Sequence, residues 1–447
     1  MKEAIQNETL LQFEQVFDKD RTNAVAMNAV VNNGIAKTAL SYAASRNLRH
    51  EFSVKIKEGE ITSQKQSGRC WMFAALNTMR FEVMQKLNLK TFELSENYPL
   101  FYDKLEKANY FLESILNTLD EPPEGRLIAH LLSAPLNDGG QWDMFANLVE
   151  KYGVVPKDAM PETVSSSATQ QMNAYMTLKL REFACTLRRA YAEGVELAEL
   201  QSRKEAMLET IYNMLCICLG KPPKTFTLEL HDKDDKFIRI ADITPQRFFK
   251  EYVGVELSDY VSLINAPTAD KPFHKTYSVE FLGNVIEGRP IKYLNVMAKE
   301  MKQAAIAQMK DGHPVWFGCD VGKCSERDNG MMDPALLEVG RLFGTDFPMT
   351  KAERLDYHQS LMTHAMVFAG VNLDENGNPN RWRVENSWGE DAGKKGYYVM
   401  SDEWFEEYTY QVVVNKKYLP QELLALFEQE PIMLKPWDPM GSLANMR

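Results

Sequence analysis

The sequence predicts an α+β fold, and two observations carry that prediction. Apolar residues recur at helical spacing through most of the first two thirds of the chain. Short runs of β-branched and aromatic residues, separated by turn residues, fill the last third. This order is typical of a helical half packed against a β half, and the cleft between the halves is the expected place for a functional site.

The predicted helices lie in the first 310 residues. Helical periodicity or a high content of helix formers marks residues 7–18, 71–87, the middle of 138–155, 169–220 and 292–310. The helix of 71–87 should begin near Cys70, and Gly153 should end the helix that follows the Gly-Gly turn. Residues 169–220 are long enough for two or three helices.

The predicted strands favour an antiparallel sheet or barrel. They are residues 315–321, 363–372, 381–388, 396–401 and 410–415. The segment DENGNPN, residues 374–380, has the composition of a hairpin turn. Its alternate Asp and Asn residues also resemble a calcium loop, but Pro379 stands where that loop needs Gly and the flanks are strands, so the turn is favoured.

Composition and charge narrow the class of protein. Hydrophobic residues make up 45% and charged residues 25% of the 447 residues, which is ordinary for a globular protein. The net charge of −11 disfavours general affinity for nucleic acid or for an anionic membrane surface. Because no secretory signal and no apolar run of about 20 residues is visible, we expect a cytoplasmic protein without a membrane partner.

Six cysteines in a chain of this length do not indicate a disulfide framework. Cys185, Cys216 and Cys218 lie in helical patterns and are expected to be packed thiols. Cys319 and Cys324 have four residues between them, but no second Cys or His pair lies nearby, so a zinc site is disfavoured. We expect neither a metal nor another cofactor.

Cys70 differs from the other cysteines because it stands at the start of a predicted helix. It follows a short polar run and directly precedes Trp71. The partial positive charge of a helix N-terminus favours a thiolate, but a lone cysteine in such a place is more often packed than catalytic. A cysteine nucleophile also needs a base, and the base needs an orienting group.

His364, Asn386 and Gln64 could supply those groups. His364 heads one apolar strand and Asn386 follows the next, so a hairpin would place them side by side. Asn386 would then accept the Nδ1–H of His364 and leave Nε2 facing Cys70. Gln64 and the backbone N–H of Cys70 would form an oxyanion hole. Taken singly, His364 fits an edge histidine, Asn386 a turn asparagine and Gln64 a solvated glutamine as well as they fit catalytic roles.

Together these blocks resemble papain-like cysteine peptidases, and within them the bleomycin hydrolase and bacterial aminopeptidase C family. The resemblance spans nearly the whole chain, in the segments SGRCWMFAALN, DGGQWDM, THAMVF, VENSWG and WDPMGSLA. It implies a two-lobed fold, with a helical lobe, an antiparallel β-barrel-like lobe and a large helical insertion between Cys70 and His364. Ser67 stands where secreted relatives often carry a disulfide cysteine, which fits a reducing compartment.

The resemblance also implies a division of the chain into five parts. These are an N-terminal extension on the core (1–60), a helical lobe with the catalytic cysteine (61–155), a mainly helical insertion for oligomerisation (156–290), a β lobe with the catalytic histidine and asparagine (291–435), and a C-terminal arm that reaches into the active site (436–447). The implied assembly is a homohexamer whose active sites face an internal channel.

The implied activity is that of an aminopeptidase acting on peptides, with bleomycin-hydrolase-like amide hydrolysis as a further reaction. Cys70 is the implied nucleophile, His364 the base and then the acid, Asn386 the orienting group, and Gln64 the oxyanion donor. Trp388 would shield the contact between His364 and Asn386 from water.

The implied substrate site uses Gly139 and Gly140, whose backbone would hold an extended peptide, although both also fit a simple turn before a helix. Trp71 is an implied supporting residue. Ala444, in the arm, would limit the substrates to free amino ends, whereas the alternative for this Pro- and Gly-containing tail is a frayed terminus. Family members often end about one residue after the Leu-Ala of this block, so we expect Asn445–Arg447 to be trimmed.

Two other classes of function stay open from the sequence. One is an endopeptidase or a transglutaminase-like acyltransferase, although transglutaminases generally use Asp where Asn386 stands here. The other is a non-catalytic assembly protein, which would need none of the residues Gln64, Cys70, His364 and Asn386.

Overall fold

The computed structural model describes residues 4–57 and 59–444, and its N-terminal part is helical. Each predicted apolar stripe there coincides with a helix. Up to residue 155 the helices are α1 Asn7–Lys19, α2 Arg21–Asn33, α3 Ile35–Ala39, α4 Tyr42–Asn47, α5 Cys70–Lys86, α6 Asn97–Leu116, α7 Arg126–Ser133 and α8 Trp142–Tyr152. As predicted, α5 begins at Cys70, and Gly153 follows α8 with a φ of 76°.

The long predicted helical block becomes two helices of 23 residues that pack on each other and on α6. The helices of this region are α9 Val164–Ser167, α10 Gln170–Ala192, α11 Leu197–Leu219 and α12 Pro245–Phe248. The later helices lie among the strands and are α13 Ala298–Lys310, α14 Val339–Phe343, α15 Lys351–Asp356, α16 Asp402–Tyr408 and α17 Gln421–Phe427.

All strands but one pair belong to a single sheet. The strands are β1 Val54–Lys55, β2 Phe226–His231, β3 Phe237–Ile243, β4 Tyr260–Ile264, β5 Lys275–Val279, β6 Tyr293–Asn295, β7 Val315–Cys319, β8 Ser325–Glu326, β9 Met331–Met332, β10 His364–Leu373, β11 Pro379–Glu385, β12 Tyr397–Ser401, β13 Thr409–Asn415 and β14 Ile432–Leu434. The sheet order is β14-β5-β6-β4-β13-β7-β10-β11-β12-β9-β8, with β1 beside β10, while β2 and β3 form a separate hairpin. The barrel-like closure and the lobe boundaries stay predictions.

The centre of the sheet positions the candidate site. Strand β10 pairs antiparallel with β7 and β11, and His364 lies directly opposite Cys319. The predicted turn between β10 and β11 is confirmed, because the Asp374 carboxylate accepts hydrogen bonds from the backbone N–H groups of Asn376 and Asn378.

Two apolar cores meet beside this strand. One core fills the space among α5, α6, α8, α10 and α11 and contains Cys70. The other lies between the sheet and helices α13, α16 and α17 and contains Cys319. Helix α5 packs directly on β10. Cys70, at the start of α5, is close enough to Cys319, which pairs with His364, to act on that thiol electrostatically.

The structure adds detail to three of the sequence predictions. The range 156–290, expected to be a mainly helical insertion, contains helices α9–α12 and also strands β2–β5, of which β4 and β5 join the main sheet. The helix predicted for 292–310 begins only at Ala298, because Tyr293–Asn295 pair with β4 and β5 instead. Cys185, expected to be a packed thiol, is exposed, whereas Cys216 and Cys218 are half-buried and pack against the core as predicted.

Candidate active site

Cys70 is the first residue of α5, and its side chain is fully buried. Its Sγ lies 3.6 Å from the carbonyl oxygen of Ala444, near the other end of the chain. A thiol at the first turn of a 17-residue helix stands close to backbone N–H groups that have no partner within the helix. The partial positive charge of this helix end is therefore directed at the sulfur.

The loop before Cys70 is fixed by its own side chains. Ser67 Oγ donates to the carbonyl of Gln64 at 2.7 Å, and Gln64 Nε2 donates to the carbonyl of Ser67 at 2.6 Å. Arg69, fully buried, donates to Ser67 Oγ and forms a two-bond contact with the carboxylate of Glu162 at 2.7 and 2.9 Å. These bonds hold the backbone on which Cys70 sits.

His364 and Asn386 are in contact, as predicted, but through the other ring nitrogen. His364 Nε2 lies 2.9 Å from Asn386 Oδ1, which also accepts the backbone N–H of Ser387 at 2.8 Å. The same oxygen accepts both bonds, so Nε2 is the protonated nitrogen. Nδ1 has no hydrogen-bond partner in the described parts of the chain. The predicted use of Nδ1 for Asn386 is therefore wrong.

The register of the sheet explains this reversal. The last pair of β10 and β11 is Val367 with Glu385, so Asn386 lies one residue beyond β11 and is displaced along the sheet from His364. Nε2, the ring nitrogen farther from the backbone, is the one that reaches Asn386. Burial lowers the pKa of His364 to about 4, although the hydrogen bond with Asn386 acts in the opposite direction.

Gln64 and Trp388 lie beside this pair. Backbone bonds join residues 62–64 to residues 387–389, and Ser387 Oγ donates to Gln64 Oε1 at 2.8 Å. Gln64 is thereby fixed next to the catalytic candidates, with one N–H bonded to Ser67 and a second available. The Trp388 ring lies over His364 with 4.9 Å between ring centroids, and Trp388 is half-buried.

Gly140 combines a tight contact with a backbone pairing. A Cβ on Gly140 would lie 2.4–2.5 Å from three ring atoms of Trp71, so only glycine fits. Gly140 also forms an antiparallel bridge with Ala444. The neighbouring Gly139 carbonyl accepts a hydrogen bond from Lys107 Nζ at 2.6 Å. Gly139 and Gly140, here termed the glycine wall, thus lie beside Ala444, whose carbonyl contacts Cys70.

The C-terminal segment, residues 436–444, packs against the rest of the chain beside Cys70 rather than fraying. Ser442 is held twice, since its carbonyl accepts from Gln141 Nε2 and its Oγ donates to the Met362 carbonyl, both at 2.8 Å. Further back, Asp438 pairs with Lys271 at 3.0 Å. The Trp437 ring stacks on the Arg126 guanidinium, 3.9 Å from its centroid. Residues 445–447, where trimming is expected, lie outside the described residues.

A buried acidic residue, Asp138, supports the site and was missed in the sequence. Its carboxylate accepts from the backbone N–H of Gly68 at 2.9 Å and from Lys104 Nζ at 2.6 Å. Thr169 and Asn173 also donate to it. Burial alone would raise the pKa of Asp138, but the Lys104 charge and these hydrogen bonds hold it well below its ordinary value.

The sequence signal for Asp138 is its position directly before Gly139 and Gly140. Its backbone carbonyl accepts the indole N–H of Trp71 at 2.6 Å, so one residue ties the loop of Cys70 to the glycine wall. Among the described residues, no group of three or more His, Cys, Asp or Glu side chains could hold a metal ion. Nor does any helix of residues 4–57 and 59–444 have the length and apolarity to cross a membrane.

The relatives of the chain fall in one family. Residues 4–441 match the model of the Peptidase C1-like family. The chain is 50% identical to aminopeptidase C of Listeria monocytogenes over 98% of both chains. It is 44% identical to human bleomycin hydrolase over 99% of both.

A solved structure shows the same fold throughout. The crystal structure of PepW from Lactobacillus rhamnosis has a TM-score of 0.97 at 49% identity, covering 99% of this chain and all of that one. Family model, relatives and structure each extend over nearly all of the sequence. The chain therefore belongs to the Peptidase C1-like family, as its sequence blocks predicted.

Proposed function

We propose that this protein, a cysteine-type aminopeptidase by its family and its relatives, releases residues from the amino end of peptides through a thioester on Cys70. The observation that carries the proposal is the position of Ala444. A backbone carbonyl of the chain itself lies 3.6 Å from Sγ, where the carbonyl of a bound peptide would have to come for attack.

In the proposed reaction, His364 Nδ1 takes the proton of the Cys70 thiol and the thiolate attacks the scissile carbonyl. The unpartnered state of Nδ1 supports this role, because Nε2 is already engaged by Asn386. The free N–H of Gln64 and the backbone N–H of Cys70 stabilise the oxyanion. The imidazolium then protonates the leaving amine, and water hydrolyses the thioester.

Asn386 and Trp388 prepare His364 for this exchange. The hydrogen bond to Asn386 Oδ1 keeps the proton on Nε2, so Nδ1 stays able to accept one. Trp388 covers the ring and keeps water from this bond. The pKa of His364 is low because its ring, like the side chain of Cys70, is fully buried.

The C-terminal arm is proposed to make the enzyme an aminopeptidase. Ala444 bridges to Gly140 as an added strand would, so the arm takes the place of a longer substrate chain along the glycine wall. A peptide then has room only for its first residues next to Cys70. Deleting residues 442–447 should therefore permit cleavage of N-blocked peptides, and unchanged exclusion of such peptides would contradict this role.

We further propose that six chains assemble into a homohexamer in the cytoplasm. The five-part division of the chain expected from the sequence belongs to the same proposal. Helices α1 and α2 support self-association, because neither buries a residue within the chain. Their large apolar side chains are exposed, for example Val16 at 67% and Val31 at 77%. Light scattering should give the mass of six chains, and a monomer at micromolar concentration would contradict the proposal.

The catalytic assignment is tested by measuring amino-acid release from an unblocked peptide. Wild type and Cys70→Ala are compared, each with and without a thiol alkylator. The wild-type rate should fall to the Cys70→Ala rate on alkylation, whereas an alkylator-insensitive rate would refute the mechanism.

The intact mass of the wild type tests the expected trimming of Asn445–Arg447, with Cys70→Ala as the control. Bleomycin serves as the second amide substrate.

A further inference from the structure

The segment that leads into His364 is held by a buried carboxylate that the proposed reaction does not use. Asp320 directly follows β7 and is 5% exposed. Its Oδ1 accepts the hydroxyl of Thr363 at 3.1 Å, and its Oδ2 accepts the hydroxyl of Ser360 at 2.8 Å. One carboxylate thus binds both ends of the four-residue segment 360–363.

The same segment is fixed to the sheet on either side of that carboxylate. The backbone N–H of Thr363 donates to the carbonyl of Cys319 at 2.9 Å, next to the pair of Cys319 with His364. Tyr410 donates from its hydroxyl to Ser360 Oγ at 2.7 Å. The described residues form no salt bridge with Asp320, so hydroxyl groups satisfy its oxygens.

Met362, in the middle of the segment, connects it to the C-terminal arm. Its carbonyl accepts the hydroxyl of Ser442 at 2.8 Å. Its side chain lies so close to Gly318 that a Cβ there would be 2.2 Å from the methionine sulfur. The segment therefore has little freedom to move, and a shift of it would move the arm and His364 together.

We propose that Asp320 is a positioning residue that holds His364 and the C-terminal arm in register with Cys70 through the segment 360–363. The proposal rests on the proposed function, since it assumes that His364 is the base and that the arm restricts substrates. Proton transfer tolerates little displacement, so a loosened segment lowers the rate of the chemical step. A loosened arm admits peptides that the wild type excludes.

The test uses substitutions that keep side-chain shape. Thr363→Val removes the hydroxyl that donates to Asp320, Thr363→Ser retains it, and Asp320→Asn weakens the acceptor. Thr276→Val is the matched control, because Thr276 is a buried threonine on β5 whose hydroxyl donates to the carbonyls of Gln429 and Glu430, away from His364. Melting temperatures establish that each variant is folded, and Asp320→Asn serves alone if Thr363→Val does not fold.

Two rates are measured, on an unblocked aminoacyl amide and on an N-acetylated peptide. Thr363→Val and Asp320→Asn should lower kcat on the amide by about tenfold with KM within about twofold, because a displaced base slows the chemical step. Both should cleave the N-acetylated peptide, and Thr363→Ser and Thr276→Val should match the wild type. The double variant should be no slower than Asp320→Asn, since the contact that Thr363→Val removes is one of the two that Asp320→Asn already weakens.

Three outcomes overturn the positioning role. They are wild-type kcat and specificity in Thr363→Val and Asp320→Asn, equal losses in Thr276→Val, and failure of Thr363→Ser to restore the rate. A Cys70→Ala enzyme that still releases amino acids would instead overturn the proposed function. The two failures are thus told apart in one set of assays.

Discussion

Replacing Gly140 by alanine should force Trp71 out of its place. The new Cβ would lie 2.4–2.5 Å from three atoms of the indole ring, about 1 Å less than the separation at which carbon atoms pack. Trp71 is fully buried, and its Nε1 donates to the Asp138 carbonyl at 2.6 Å. A retreat of the ring by about 1 Å would stretch that bond past the limit of about 3.2 Å.

Two losses add up in this variant. Overpacking in a full core costs about 1–3 kcal/mol. A buried indole N–H that loses its partner costs about 1–3 kcal/mol more. We therefore expect Gly140→Ala to lower the free energy of unfolding by about 2–6 kcal/mol and to lower kcat/KM, since Gly140 also lines the cleft.

Urea unfolding in the Cys70→Ala background measures the stability without self-cleavage. Gly322→Ala is the matched control, because the nearest atom to its new Cβ is 3.9 Å away. A loss of stability in Gly140→Ala no larger than that in Gly322→Ala would show that Trp71 is not displaced.

Three further predictions concern the same site. Since the pKa of His364 falls from 6.5 to about 4 on folding, its contribution to stability is present above pH 6.5 and is lost as the pH falls toward 4. His364→Gln should thus reduce the stability difference between about pH 7 and pH 4.5 by about 2 kcal/mol in urea unfolding, and an unchanged difference would argue against a buried neutral histidine. Deleting residues 442–447 should speed alkylation of Cys70 by iodoacetamide about tenfold or more, because the arm covers the thiol, and an equal rate would mean that it does not. Asp138→Asn should lower the melting temperature by leaving Lys104 without its counter-charge, and adding Lys104→Met should recover most of the loss; an additive further loss in the double variant would contradict this coupling.

The sequence could predict what depends on short-range pattern. The start of α5 at Cys70 follows from helical periodicity, and the strands that carry His364 and Asn386 follow from β-branched runs around a turn. This helix and these strands form at the predicted positions because their apolar faces are buried on both sides. The contact between His364 and Asn386 then follows from hairpin pairing alone.

Other features depend on contacts between distant segments. The ring nitrogen that meets Asn386 is decided by the sheet register, which a sequence pattern does not specify to the residue. Strand β4 lies in a region of helical character and forms because β13 and β6 pair with it. The carboxylate of Asp138 accepts hydrogen bonds from residues as far apart in the sequence as Gly68 and Asn173, so its role is visible only in the folded structure.

The most direct test of the proposed aminopeptidase activity compares one peptide with its N-acetylated form. Wild type and Cys70→Ala are incubated with each peptide, and the products are identified by mass spectrometry. We expect stepwise loss of amino-terminal residues from the free peptide by the wild type, and no product in the other three reactions. Internal cleavage of the acetylated peptide by the wild type, or unchanged release by Cys70→Ala, would contradict this expectation.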